Sequence, residues 1–363
     1  MQNSKTQTNS ISQRIIATAF CAVFACAMML SSIGCSQATS YNFKYWTDGS
    51  QSLAQLKNYV EDVTNENSSN YIPPEDRIAT FDMDGTLIGE KAPIYSEWKM
   101  YAHRVLEDPD YKDKASVKQI ETANQIIEAG KTGVIPENLE LDHATCQAEV
   151  FAGLTIEQYR DYVRNYMQST QAEGFENLTY ADSFFKPMVE IIDYLNANNF
   201  ICYICSGTDR DTCRTVLEGK VDIPFERIIG MDVDLEASGQ NGKDGLEYNL
   251  TKDDQMVRKS TLKNKAVKAN KPRVLQEELG RKAVLSFGNS TGDTSMHTWV
   301  TSGNSYKSMA FMVLADDEQR EHGNVNKAAE LKTKWEANGW VVFSMKDDFK
   351  VIYEDNVVNT QKA

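Results

Sequence analysis

The chain opens on a long apolar run and then settles into short alternations of apolar and polar positions. Over residues 15–30 almost every position is apolar, behind a polar leader whose only charges are Lys5 and Arg14, and small residues follow at Ser31, Ser32 and Gly34. This is the shape of a secretory signal, too short for a comfortable membrane span. No later stretch is apolar enough to cross a bilayer. Residues 53–63 have helical periodicity and 65–70 form a polar turn. Pro73-Pro74 stops any helix and feeds a short strand over 77–81 that runs straight into an acidic loop.

A long helical stretch comes next. Trp98, Tyr101, Val105 and Leu106 form one apolar stripe, and Val117, Ile120 and Ile127 form another before Gly130. Thr155 and Gln158 predict a capping box for a helix whose stripe is Ile156, Tyr159, Val163, Tyr166 and Met167. From Pro187 the pattern becomes α/β. A helix carrying Met188, Ile191, Ile192 and Leu195 leads into a strand over 200–205, a loop at Ser206-Gly207-Thr208 and a helix through Val216 and Leu217. Residues 228–250, with the Asn241-Gly242 turn, predict a β-hairpin. Lys271-Pro272 opens a short helix ending at Gly280, and a buried strand over 283–287 enters Gly288-Asn289-Ser290-Thr291-Gly292-Asp293. Later strands are expected at 310–314 and 341–343 with a polar helix between them. Strands alternating with helices imply an α/β fold with a doubly wound, Rossmann-like parallel sheet, which gathers its ligands at the carboxyl ends of the strands. Three polar loops here each follow an apolar strand.

Composition narrows the function. The 363 residues are 41% hydrophobic and 10% aromatic, which excludes a disordered or collagen-like chain. Lys and Arg total 38 against 52 Asp and Glu, a net charge of −14, so nucleic acid is not an expected partner. Of seven cysteines, Cys21 and Cys26 would leave with the signal. Ser32-Ile33-Gly34-Cys35 resembles a bacterial lipobox, which makes Cys35 the expected lipidation site, anchoring an exported lipoprotein to the bacterial cell membrane or outer membrane. Cys202 and Cys205 share a strand but sit three apart, on opposite faces, and are expected to be buried and unbridged.

The chemistry gathers at the strand ends. Asp82-Met83-Asp84-Gly85-Thr86 places two carboxylates on one side of an extended turn, one suited to attack and one to proton transfer. A carboxylate that attacks phosphorus forms an aspartyl-phosphate and splits one difficult hydrolysis into two easier steps. Mg²⁺ would screen the anionic nucleophile from the anionic phosphate. Ser206 and the amide of Gly207 can hold a phosphoryl oxygen, the Lys271 ammonium can offset the charge, and Asn289 and Asp293 are oxygen ligands suited to a hard cation.

These residues resemble the four motifs of the haloacid dehalogenase (HAD) superfamily of phosphatases, closest to its phosphoserine-phosphatase-like branch. The first motif is matched at Asp82 to Thr86, the second at Ser206-Gly207-Thr208, the third at Lys271 and the fourth at Gly288 to Asp293. The resemblance covers about residues 77–314. It implies Asp82 as nucleophile, Asp84 as general acid/base, Thr86, Ser206, Gly207 and Lys271 as phosphate-binding residues, and Mg²⁺ held by Asp82, Asp84, Asn289 and Asp293. It also implies a HAD-type sheet with a helical cap inserted after the first motif. The expected organisation is a signal at 1–34, a tether and N-terminal helix at 35–76, a core from 77–90 and 180–363, and a cap at 91–179, with Glu90, Lys91, Tyr95 and Trp98 near enough to line it. Two positions depart from the pattern: Asn289 stands where many relatives have Asp, and Lys91 falls where the glutamate that reads the serine amine is expected. The implied substrate is a small extracytoplasmic phosphomonoester, phosphoserine-like or phosphocholine-like, with sugar phosphates also fitting. The alternative is a lipid-anchored binding protein on the same fold with little or no turnover. Carbon–halogen hydrolysis is disfavoured by Asp84, and transfer to an acceptor other than water stays open.

Overall fold

In the computed structural model of the protein, residues 41–89 and 94–361 are described. The signal, Cys35, Glu90 and Lys91 lie outside them. The first half of the chain contains α1 (Gln51–Thr64), β1 (Ile78–Phe81), α2 (Ser96–Leu106), α3 (Val117–Thr132), α4 (Leu139–Val150), α5 (Ile156–Ser169), β2 (Phe175–Glu176) and α6 (Lys186–Ala197). Then follow β3 (Ile201–Asp209), α7 (Arg210–Leu217), β4 (Ile228–Ala237), β5 (Met256–Asn264), α8 (Asn270–Leu279) and β6 (Leu285–Gly288). The chain closes with α9 (Thr294–Thr301), β7 (Met309–Leu314), α10 (Val325–Ala337), β8 (Val341–Ser344) and β9 (Val358–Asn359). Among the described residues no helix is long and apolar enough to cross a membrane.

Seven strands form one sheet in the order β5-β4-β3-β1-β6-β7-β8, parallel except at the β4–β5 edge. This is the doubly wound sheet expected from the alternation of elements. β1 is buried at every position, as a central parallel strand covered on both faces must be. Its register brings Phe81 level with Ile204 of β3 and Phe287 of β6. Phe81, Phe287, Phe311 and Phe343 stack across the sheet with successive ring centroids 4.3, 5.0 and 5.0 Å apart, and Trp46 meets Phe343 edge-on at 4.9 Å. That aromatic row locks the strand register on one face. The strand expected over 341–343 is the edge strand β8, and beyond it β9 pairs antiparallel with β2.

The structure differs from the sequence pattern in three places. Ser206-Gly207-Thr208 is strand, because β3 continues to Asp209 and resumes pairing with β4 at Met231 beyond an irregularity. The hairpin is wider than expected. Its return strand is β5, and the connection is organised by Asp254, which accepts from Gly239 N, Thr251 N and the Tyr248 hydroxyl. The third difference is the buried face of α3, which is Gln119, Thr122, Ala123, Ile126 and Ala129, while Val117 is 73% exposed. Small residues allow close approach to α4, and Gln119 is satisfied inside by bonds to Ser116 N, Tyr111 and Glu149, so apolarity selects the wrong face there. Cys202 and Cys205 are unbridged and belong to separate clusters on the two sides of the sheet.

Gly230 of β4 shows how tightly β3 is held. A Cβ there would lie 2.5 Å from Thr208 O and 2.7 Å from the Arg210 backbone, neither of which can step aside. Gly230→Ala is expected to cost about 1–3 kcal/mol of unfolding free energy in a denaturant titration. A cost below a few tenths would contradict this packing.

Candidate active site

The shared register carries three chain segments off the sheet at one level. Asp82 N donates to Phe287 O (2.9 Å), which ties the first acidic loop to the end of β6. Gly85 has φ +73°, a conformation that suits glycine, and Met83 O accepts from the amides of Thr86, Leu87 and Ile88. This turn sets Asp82 and Asp84 on the site.

Lys271, in the first turn of α8, is 2% exposed and bridges two carboxylates: its Nζ lies 2.5 Å from Asp82 Oδ1 and 2.7 Å from Asp293 Oδ1. The other oxygen of Asp293 accepts from Asn289 N (3.0 Å), Ser290 N (3.1 Å) and Ser290 Oγ (3.3 Å), so this carboxylate holds its own loop closed. Gly288 fits against it; a Cβ there would lie 2.6 Å from Asp293 Cβ. Asp84 Oδ2 accepts from Thr208 Oγ1 (2.8 Å) and Ser206 Oγ (3.1 Å), while its Oδ1 is buried without a hydrogen bond. Thr86 is buried, and its hydroxyl also makes no hydrogen bond. Gly207 lies in β3 with Val267 packed against its Cα; a Cβ would come 2.7 Å from Val267 Cγ1.

Asp82, Asp84, Ser206, Lys271, Asn289 and Asp293 therefore come together from positions as far apart in sequence as 82 and 293. In this state the Ser206 hydroxyl supports Asp84. Burial, then the Asp293 carboxylate, pushes Asp82 well above the usual carboxyl range, with Lys271 acting against them. Burial also raises Asp84, offset in part by the Thr208 and Ser206 hydroxyls. Although burial works the other way, Lys271 holds Asp293 below its ordinary value, and Asp293 and Asp82 hold Lys271 above its own.

The donors suit a hard cation. Among the described residues no three His, Cys, Asp or Glu side chains converge into a metal cluster. The candidate set instead mixes the Asp82 and Asp293 carboxylates with the Asn289 amide and the Asp84 carbonyl, all oxygen. Lys271 is bonded to both Asp82 and Asp293, with Asp84 buried beside them, so the acidic groups outnumber the ammonium that faces them, an imbalance that a divalent ion would offset.

Sequence reasoning missed several residues at this site. Thr208 lay inside a quoted motif without a role. Glu97 of α2 is 1% exposed; its Oε1 accepts from Asp209 N (2.8 Å) and Gln147 Nε2 (2.9 Å). Asp209 is 1% exposed and pairs with the equally buried Arg258 of β5 at 2.5 Å, whose guanidinium lies 3.7 Å from the Tyr159 ring centre. Tyr95 and Trp98 meet at 5.1 Å between centroids, and Trp98 lies over the buried His143 at 5.0 Å.

No protein-family model matches the chain, and no curated protein matches it. Solved structures do. A conserved, functionally unknown protein from Anaerococcus prevotii is 13% identical over 83% of this chain and 92% of its own, with a TM-score of 0.50. A protein of unknown function from Bordetella pertussis is 14% identical over 74% of this chain and 97% of its own, with a TM-score of 0.47. Cytosolic 5'-nucleotidase IIIB bound to cytidine is 13% identical over 75% and 80%, with a TM-score of 0.45. At such identities the likeness is one of fold.

Proposed function

We propose that the protein is a magnesium-dependent phosphomonoester hydrolase of the haloacid dehalogenase superfamily, working through an aspartyl-phosphate on Asp82. The observation that carries this reading is the Lys271 ammonium bridging Asp82 and Asp293 at the strand ends, beside an Asp84 held by two hydroxyls. An Asp82 oxygen attacks phosphorus, the bond from phosphorus to the ester oxygen breaks, and Asp84 gives that oxygen its proton. Asp84, now ionised, takes a proton from water as the water oxygen attacks phosphorus, releasing phosphate and restoring the Asp82 carboxylate. A raised Asp84 carboxyl keeps the proton the first step needs. Lys271 neutralises charge on Asp82 and on the transferring group, and the Gly207 amide and Thr86 hydroxyl offer further donors to its oxygens. Mg²⁺, held by Asp82, the Asp84 carbonyl and Asn289 with Asp293 beside it, would supply electrostatic stabilisation of that group. The same reading makes the protein an exported lipoprotein anchored through Cys35, meeting small extracytoplasmic esters; the anchor rests on the lipobox-like sequence alone.

Phosphate release from an aryl phosphate tests the reading. Turnover is expected with Mg²⁺, background rates after chelation, and recovery when Mg²⁺ is returned. Mg²⁺ is also expected to raise the melting temperature in a concentration-dependent way, since a ligand of the native state stabilises it by mass action. A folded protein that hydrolyses no ester with Mg²⁺ present would leave a binding protein as the better account.

A further inference from the structure

Asp84 is held at one carboxyl oxygen and left free at the other. Thr208 Oγ1 (2.8 Å) and Ser206 Oγ (3.1 Å) both donate to its Oδ2, while Oδ1 takes no hydrogen bond from the described residues. An oxygen that accepts twice is the carbonyl side of a carboxyl group, so the transferable proton belongs to Oδ1. The two hydroxyls are not equivalent. A hydroxyl has one proton, so a Ser206 that turns it to a phosphoryl oxygen, the role its motif implies, gives up Asp84. Ser206 Oγ also accepts from Thr208 N (3.1 Å). Among the described residues the Thr208 hydroxyl bonds Asp84 alone, on a side chain only 5% exposed. Its backbone is fixed from several sides. A Cβ on Gly230 would lie 2.5 Å from Thr208 O, that carbonyl accepts from Cys213 Sγ (3.6 Å), and the next residue, Asp209, is bound to Glu97 and Arg258. The β-branched side chain is itself stiff at χ1.

We propose that Thr208 is the positioning residue for the general acid: with substrate bound it alone holds Asp84 Oδ2 and so keeps Oδ1 turned to the ester oxygen. The proposal rests on the phosphatase reading and adds to it a residue that touches no substrate atom. In the first transfer the ester oxygen leaves phosphorus with the bonding electron pair and takes the Oδ1 proton. The charge left on Asp84 is met at Oδ2 by the Thr208 hydroxyl. Without that hydroxyl the carboxyl group turns about a broad torsion, and the proton spends less of its time in line. How much this matters depends on the leaving group. An alkoxide is a strong base and leaves poorly without a proton, whereas p-nitrophenolate leaves readily as the anion. Loss of the positioning residue therefore falls on alkyl esters, and loss of a phosphate ligand falls on all esters alike.

The test measures kcat/KM, which ends at the first transfer, for the full-length protein with Mg²⁺. Its substrates are p-nitrophenyl phosphate and the fastest alkyl ester among glycerol phosphate, phosphoserine and phosphoethanolamine. Thr208→Val, which keeps the shape without the hydroxyl, is expected to lose at least about 30-fold on the alkyl ester and under about threefold on the aryl ester. Thr208→Ser, which returns the hydroxyl, is expected to bring the alkyl ester back to within about fivefold of the parent. Ser206→Ala is expected to lose by similar factors on both. Equal losses on the two esters in Thr208→Val, or no rescue by Thr208→Ser, would overturn the proposal by reducing Thr208 to packing. An alkyl-selective loss in Ser206→Ala that Thr208→Val lacks would overturn it by giving the role to Ser206. Cleavage of the aryl ester alone by the parent would overturn it too, since no proton would then be reaching an alkyl leaving group. Release from no ester at all would strike the phosphatase reading, and this proposal with it.

Discussion

Asp82→Asn is expected to lower phosphate release by at least about 10⁴-fold while leaving the fold intact. The substitution keeps the shape of the side chain but replaces the anionic carboxylate oxygen that would attack phosphorus with a weakly nucleophilic amide. The fold should survive for an electrostatic reason. Asp82 is raised well above the ordinary carboxyl range by burial and by Asp293, so its ionised form is disfavoured in the native state relative to the unfolded chain. A carboxyl shifted upward on folding costs stability as pH rises past its unfolded value, and near neutral pH a permanently neutral asparagine avoids that cost. The metal-free variant is therefore expected to melt no lower than the parent. Loss of activity with an unchanged or higher melting temperature separates a missing nucleophile from a damaged protein. Residual turnover within tenfold of the parent would contradict the assignment.

Arg258→Met is expected to destabilise the protein by about 3–5 kcal/mol, because it strands the buried carboxylate of Asp209. The pair is 1% exposed on both sides, Arg258 Nη2 sits 2.5 Å from Asp209 Oδ2, and the guanidinium also packs on Tyr159. Its place in the chain makes this more than a local bond. Arg258 belongs to β5, whose backbone joins the loop between α4 and α5 through Gly153 N to Arg258 O and Arg258 N to Leu154 O, both near 2.8–2.9 Å. Asp209 ends β3, caps α7 and presents its amide to Glu97. One ion pair thus ties the helices after the first motif to the strand that carries Ser206 and Thr208. Adding Asp209→Asn to Arg258→Met removes the stranded charge, keeps a capping side chain, and is expected to restore a substantial part of the loss in denaturant titrations. If the single variant loses less than about 1 kcal/mol, the pair is not the buried clamp described.

The sheet and the strand-end residues were legible because each depended on local signals. Residues 78–81 are an apolar run bounded by prolines and aspartates, Thr155 and Gln158 form the capping box their spacing predicts, and Gly280 ends α8 at φ +68°. Asp82, Lys271 and Asp293 fall at the ends of such elements, so placing the strands placed them too. What stayed hidden were pairings between distant residues that leave no periodic trace. Arg258 sits in a β5 whose neighbours Lys259 and Lys263 read as a solvated strand, and its partner Asp209 lies 49 positions away. Glu97 occupies a polar position of an amphipathic helix, where a charged side chain ordinarily faces water. On α3, Val117 and Ile120 looked like the core stripe, but hydrogen-bonded Gln119 and small Ala123 and Ala129 took that place.

Trapping the covalent intermediate tests the central claim most directly. Full-length protein mixed with an aryl phosphate and Mg²⁺ is quenched in acid during turnover, digested, and its peptides are analysed by mass spectrometry before and after hydroxylamine. The account predicts one phosphorylated peptide, modified on Asp82, lost on hydroxylamine treatment and absent from Asp82→Asn. Sustained phosphate release with no adduct on Asp82 at any quench time, or an adduct on another residue that Asp82→Asn leaves in place, would contradict it.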